Sequence, residues 1–113
     1  MAFQFYKKVG NIIGQANVGY CYYLGIGTKK DFKRAAFWYE NAVNNGNLTA
    51  MCNLGILYKN GEGVGKDHTK AIRLFKQSAR GNYSGGFLML VYCFECGIET
   101  NIDLQKAAEL YYN

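Results

Sequence analysis

One shift of the sequence against itself constrains the fold more than any other feature. At an offset of 36 residues, Gly25, Gly61 and Gly97 align, as do Asp31, Asp67 and Asp103, and Ala35, Ala71 and Ala107. Val18, Leu54 and Leu90 fall in the same register, with Tyr22, Tyr58 and Phe94, with Trp38, Leu74 and Leu110, and with Tyr39, Phe75 and Tyr111. No gap is needed from Gly14 to the end. Small, aromatic and acidic positions that recur together mark a repeat architecture, in which each unit buries its apolar face against the next.

Each unit reads as two helices. In "LTAMCNLGILYKN", Leu48 to Asn60, the residues Ala50, Leu54, Leu57 and Tyr58 recur at helical spacing and share one stripe. Gly61 follows as a C-cap, where a left-handed residue is favoured. Asp67 then offers an N-cap carboxylate to the next helix, at the positive end of its dipole. There Ala71, Leu74, Phe75, Ser78 and Ala79 form the buried stripe, and Gly81 and Asn82 end it. The first helices of the flanking units span Ile13–Leu24 and Ser84–Cys96, and the second span Phe32–Asn45 and Leu104–Tyr112. Ala2, Phe5 and Tyr6 mirror Ala35, Trp38 and Tyr39 at an offset of 33. Residues 2–10 therefore read as the second helix of a preceding partial repeat.

The expected fold is all-α: one α-solenoid domain over residues 1–113, of antiparallel helix pairs and about seven helices. Its repeats cover 13–46, 48–82 and a final, shorter 84–113. Neither end carries a polar cap, which suggests either flanking repeats or self-association through the terminal helices, "ELYYN" included.

Composition agrees with a folded domain. Half of the 113 residues are hydrophobic, 16% are aromatic and 19% are charged, too apolar for disorder. With 14 glycines and no proline, glycine must stop the helices. The net charge of +5 is spread along the chain, its longest cluster being Lys29, Lys30, Lys33 and Arg34. Such spreading reads as a solvated face rather than a nucleic-acid footprint. No apolar run approaches the ~20 residues of a membrane span, and "MAFQFYKKVG" lacks the order of a signal peptide. A cytoplasmic or other intracellular location is the expectation.

The glycine-rich stretch "LGILYKNGEGVGKD" does not make a phosphate cradle. The P-loop pattern needs a glycine where Asn60 stands and Ser or Thr where Asp67 stands, and it follows a strand. Asp67 would repel the anion. A kinase-type glycine loop fails at Lys66. Four cysteines, Cys21, Cys52, Cys93 and Cys96, include one C-x-x-C, "CFEC". That pair falls at a helix C-terminus, where the dipole does not lower a thiol pKa. Zinc would need two further ligands. His68, the single histidine, stands in a first helical turn with no nucleophile implied beside it. No catalytic residue, metal or cofactor is expected.

"LGILYKNGEGVGKDHTKAIRLFKQSA" resembles the Sel-one-like repeat, a relative of the tetratricopeptide repeat. Ala50, Leu54, Gly55, Tyr58, Gly61, Gly63, Val64, Asp67 and Ala71 match its pattern. The preceding unit matches through Gly19, Tyr22, Gly25, Gly27, Asp31, Ala35, Trp38, Tyr39 and Ala42. The last keeps Leu90, Gly97, Asp103 and Ala107, but has Gly86 for the alanine, Val91 for the first glycine, Phe94 for tyrosine and Glu99 for the second loop glycine. The resemblance covers nearly the whole chain. It implies a right-handed superhelix that binds proteins, as an adaptor in signalling or complex assembly. A cysteine-rich secreted branch of that family pairs two cysteines where this chain has Ala42 and Ala50, so reduced thiols are expected here.

In tetratricopeptide-like arrays the first helix of each pair lines the concave surface. The face left over by the repeat stripe holds Cys52, Ile56, Lys59 and Asn60. Its counterparts are Ala16, Tyr20, Tyr23 and Leu24, and Leu88, Tyr92, Glu95 and Cys96. Each set is spaced i, i+4, i+7, i+8 and shares one helix face. The expected partner-binding residues are therefore Tyr20, Tyr23, Ile56, Lys59, Asn60, Leu88, Tyr92 and Glu95. Tyrosine joins apolar area to a polar tip and is enriched in interfaces. The expected partner is a protein, as a peptide or a docked helix. The alternative is a structural fragment that homodimerises or self-assembles through its ends.

Overall fold

Asp31 and Asp67 do the same local job. Each adopts an extended backbone and accepts a hydrogen bond from the backbone N–H three residues on, Arg34 at 3.1 Å and Lys70 at 3.0 Å. Each also donates its own N–H backwards, to the carbonyl of Tyr22 at 2.8 Å and of Tyr58 at 2.9 Å. One residue thus starts a helix and ties it to the end of the previous one, which sets the hairpin.

The computed structural model describes residues 12–96. Among them are five helices and no strand: α1 Ile12–Leu24, α2 Phe32–Asn44, α3 Leu48–Asn60, α4 His68–Arg80 and α5 Ser84–Glu95. Consecutive helices pack on one another, and α3 also touches α5. The helix expected at 2–10, the one expected at Leu104–Tyr112 and the end "ELYYN" lie outside the described residues.

The turns explain several of the glycines. Gly61 closes α3 in the left-handed region (φ 72°), and its N–H donates to the Leu57 carbonyl. Gly25, Gly27 and Gly63 also have positive φ (76°, 73° and 75°). Gly63 is needed for a second reason. A Cβ there would lie 2.4 Å from the carbonyl carbon and oxygen of Phe32, so the α3–α4 turn rests on the backbone at the start of α2. After α4, Gly81 is the cap residue but keeps φ −82°, and Asn82 takes the left-handed turn at φ 69°.

Helix starts differ in strength. Asn47 caps α3 by accepting from Ala50 N–H at 2.8 Å. Tyr83 stands at the corresponding place before α5 and makes no side-chain cap.

The core is continuous along the array. Val18, Tyr22, Ala35, Tyr39, Ala42, Leu54 and Leu57 are buried in a first cluster that joins α1, α2 and α3. Ala71, Phe75, Ala79, Leu90 and Cys93 are buried in a second, from α4 and α5. Helix α3 serves both, through Leu54 and Leu57 on one side and Cys52 on the other. Full burial of a ring such as Phe75 or Tyr39 contributes about 2–3 kcal/mol. Ser78 is the buried polar side chain of this core, and its hydroxyl donates to the Leu48 carbonyl at 2.9 Å.

Helix pairs approach closely where side chains are missing. A Cβ on Gly55 would lie 2.5 Å from the Phe75 ring, and one on Gly19 would lie 2.7 Å from the Tyr39 ring. Gly86, in the place of Ala50, has Ser78 and the Ala79 backbone 2.7 Å from where its Cβ would stand. No described helix is long and apolar enough to cross a membrane.

Candidate functional site

The closeness of Gly19 to Tyr39 positions the site. With no side chain at Gly19, the buried Tyr39 of α2 lies against α1 and forms part of a recess between α1 and α3. Tyr20 and Tyr23 of α1 and Asn53 and Ile56 of α3 complete its lining, and its volume is about 50 Å³. Tyr20 is 48% exposed, so a large aromatic surface stands at the mouth. The Tyr39 side chain and Asn53 share this lining. Burial holds the Tyr39 phenol far above the usual range, the neighbouring Tyr23 and Tyr20 add to that, and Asn53 acts in the opposite sense.

A second, wider recess of about 300 Å³ adjoins the first. Ala16, Asn17, Tyr20, Thr49, Asn53 and Tyr83 line it. Tyr20 and Asn53 belong to both, as a shared wall. One recess is therefore mainly aromatic and the next is mixed, with two asparagine amides and a threonine hydroxyl.

Beyond Ile56 the face becomes charged. The Lys59 ammonium sits 4.8 Å from the centroid of the Tyr92 ring on α5, a cation–π contact that joins α3 to α5. Lys59 Nζ also donates to Asn60 Oδ1 at 2.8 Å, and Asn60 Nδ2 donates to Glu62 Oε1 at 2.9 Å. Asn60 thus links Lys59 to Glu62. The Glu62 charge is felt at Tyr23, whose phenol is raised first by burial and then by this carboxylate.

Of the residues expected from sequence, Tyr20, Tyr23 and Ile56 meet around one recess, and Lys59 and Asn60 connect to Tyr92. Leu88, at 63% exposure, and Glu95 stand exposed on α5 and line neither recess. Cys52 and Ala16, placed on the open face by spacing, are buried instead: the stripe is wider than the repeat motif alone implies. Sequence reading missed Asn17 and Asn53. Their signal was available, since they are the same polar residue one repeat apart in mainly apolar helices. It also counted Tyr39 only as core, whereas its side chain reaches the recess.

All four cysteines are free thiols; Cys21, Cys52 and Cys93 are buried and Cys96 is exposed. Burial pushes the Cys52 thiol up to about 11 and raises Cys21 and Cys93 as well, the opposite of activation. Among the described residues, no group of three His, Cys, Asp or Glu side chains gathers in a way that could hold a metal ion.

This geometry is that of a helical repeat, and comparison with known proteins decides which. A family model described as "Sel1 repeat" matches residues 12–47, 48–83 and 86–112. The chain belongs to the Sel1 repeat family. Sel1 repeat proteins are generally non-catalytic helical scaffolds whose repeats bind protein partners. Two solved Sel1 repeat structures are similar throughout. One is a Sel1 repeat protein from Oxalobacter formigenes, 29% identical, TM-score 0.80, over 90% of this chain and 42% of that one. The other is c5321, a protective antigen present in uropathogenic Escherichia coli strains and displaying an SLR fold, 28% identical, TM-score 0.82, over 97% of this chain and 24% of that one. The chain thus spans less than half the length of either. No curated protein matches its sequence.

Proposed function

We propose that this Sel1 chain is a non-catalytic interaction scaffold that holds a peptide or partner helix on the face formed by α1, α3 and α5. The observation that carries the reading is the pair of adjoining recesses sharing Tyr20 and Asn53. An asparagine amide offers both donor and acceptor, as a peptide backbone does. Asn17 and Asn53 are spaced by one repeat, so they can pair successive stretches of one bound chain, while Tyr20 supplies contact area. The scaffold is a right-handed superhelix of 36-residue units, and its role lies in signalling or complex assembly. Its buried, free thiols suit a reducing, intracellular setting. Its dispersed positive charge does not suit nucleic acid.

The test is capture. The immobilised chain should retain a protein, identified by mass spectrometry, and a Tyr20→Ala/Tyr92→Ala variant of unchanged helical circular dichroism should lose it. Retention by the variant removes the groove assignment.

A second reading is self-assembly through the exposed face of α5. It rests on Leu88, Tyr92 and Phe94, which leave α5 with large apolar groups 63%, 46% and 45% exposed. Sedimentation decides it: a chain that stays monomeric at high concentration does not assemble this way.

A further inference from the structure

The smaller recess has a sign as well as a shape. Its lining is three tyrosines, one asparagine and one isoleucine, with no basic residue among them. The nearby cations are already engaged: Lys59 over the Tyr92 ring at 4.8 Å and on Asn60 Oδ1 at 2.8 Å, and Lys30 over the Phe32 ring at 5.8 Å. A carboxylate, Glu62, stands outside the lining near Tyr23, with its Oε1 accepting from Asn60 Nδ2 at 2.9 Å. Glu62 precedes Gly63, whose close approach fixes the turn on the Phe32 backbone, and the Phe32 ring is 5.3 Å from that of Tyr23. Burial raises the Tyr23 phenol, and the Glu62 charge adds to it in second place.

Tyrosine rings in this chain already hold cations. Lys59 lies over Tyr92, Lys70 lies 4.6 Å from the Tyr58 centroid, and the Arg34 guanidinium carbon lies 5.9 Å from that of Tyr22. The negative ring face attracts such groups, most strongly where water is partly excluded. Phenol oxygens, the Asn53 carbonyl oxygen and Glu62 can all accept hydrogen bonds from N–H donors. An anion would meet the Glu62 charge instead, and an aliphatic group would leave these acceptors unused. A volume of about 50 Å³ admits the end of one side chain, not a ring or a helix.

We propose that the recess between Tyr20, Tyr23, Tyr39 and Asn53 takes the cationic end of a lysine or arginine side chain from the bound segment, with Glu62 as its counter-charge. This inference rests on the groove reading and names the chemistry of its occupant. The net charge of +5 does not oppose it at close range, because exposed charges are screened over ~8 Å at physiological salt.

A displayed library of random peptides, selected on the full chain and with each binder then titrated against Tyr20→Ala, tests the two readings separately. Expected are Tyr20-dependent binders enriched in lysine or arginine at one position. Their affinity should fall about threefold to fivefold on Glu62→Gln, the size of an exposed ion pair lost, and fall with added salt. Tyr20-dependent binders that are aliphatic or acidic at that position, or that ignore Glu62→Gln, would leave the groove standing and overturn the cation site. Binders indifferent to Tyr20→Ala would overturn both. Glu62 lies in a turn, so its substitution leaves the helical packing intact.

Discussion

Gly55 of α3 faces Phe75 of α4 so closely that a Cβ would lie 2.5 Å from the ring's Cε1. Gly19 faces Tyr39 in the same way, one unit earlier, at 2.7 Å. Phe75 is fully buried and has nowhere to retreat. Gly55→Ala should therefore destabilise the chain by about 1–3 kcal/mol, the usual range for an overpacked core. Combining it with Phe75→Leu should cost less than the two single changes added, because the smaller side chain makes room. Urea unfolding midpoints measure both. An unchanged midpoint for Gly55→Ala would show that the helices separate freely.

Two glycines of one turn should behave oppositely. Gly63 has φ 75°, and a Cβ there would strike the Phe32 backbone at 2.4 Å, so Gly63→Ala should cost more than about 2 kcal/mol. Gly65 has open space around its Cβ position and is not among the positive-φ residues. Gly65→Ala should be neutral or should stabilise by about 0.4–1 kcal/mol through the unfolded state. Thermal unfolding of the two variants side by side gives the comparison.

The cap at Asp67 should be separable from its charge. Asp67→Ala removes the acceptor for Lys70 N–H and should cost about 1 kcal/mol. Asp67→Asn keeps an acceptor oxygen and should recover most of that loss. If both variants are equally unstable by urea titration, the charge and not the hydrogen bond holds the turn.

Stability should fall in alkali. The Cys52 thiol rises from an ordinary 9.0 to about 11 in the folded chain, because burial disfavours the thiolate. Below about pH 9 both states are protonated and the thiol costs nothing. Above it the unfolded chain ionises first and binds fewer protons, so stability is lost as pH climbs towards the folded value, by ~2 kcal/mol near pH 10.5. The buried Tyr39 phenol adds a loss of the same sign. Urea midpoints at about pH 8 and pH 10.5 should show the fall, and Cys52→Ala should reduce it. An equal fall in that variant would clear Cys52.

Most of the local structure was legible because it is periodic and chemically forced. Asp31 and Asp67 cap, Gly61 terminates, and Ala50, Leu54 and Leu57 are buried, as their spacing implies. The site was harder to read. Spacing puts Cys52 and Ile56 on one face, but the curvature between α3, α4 and α5 buries the first and leaves the second at a recess. Tyr39 has its ring in the core and its hydroxyl side towards Asn53, a division that no one-dimensional stripe contains. The Lys59–Tyr92 contact joins two helices, 33 residues apart in sequence, and depends on how α5 sits on α3.

The central claim is that partners bind across Tyr20 and Asn53 rather than on the opposite, outer side. That side carries its own exposed aromatic, Phe37, 61% exposed and edge-on to Trp38 at 5.7 Å. The direct measurement is a titration of the isotope-labelled chain with the tightest library-selected peptide, followed by NMR. The side-chain amides of Asn17 and Asn53 and the methyl groups of Ile56 should shift, while the Phe37 and Trp38 resonances stay still. Shifts centred on Phe37 and Trp38, with Asn17 and Asn53 unmoved, would contradict the account.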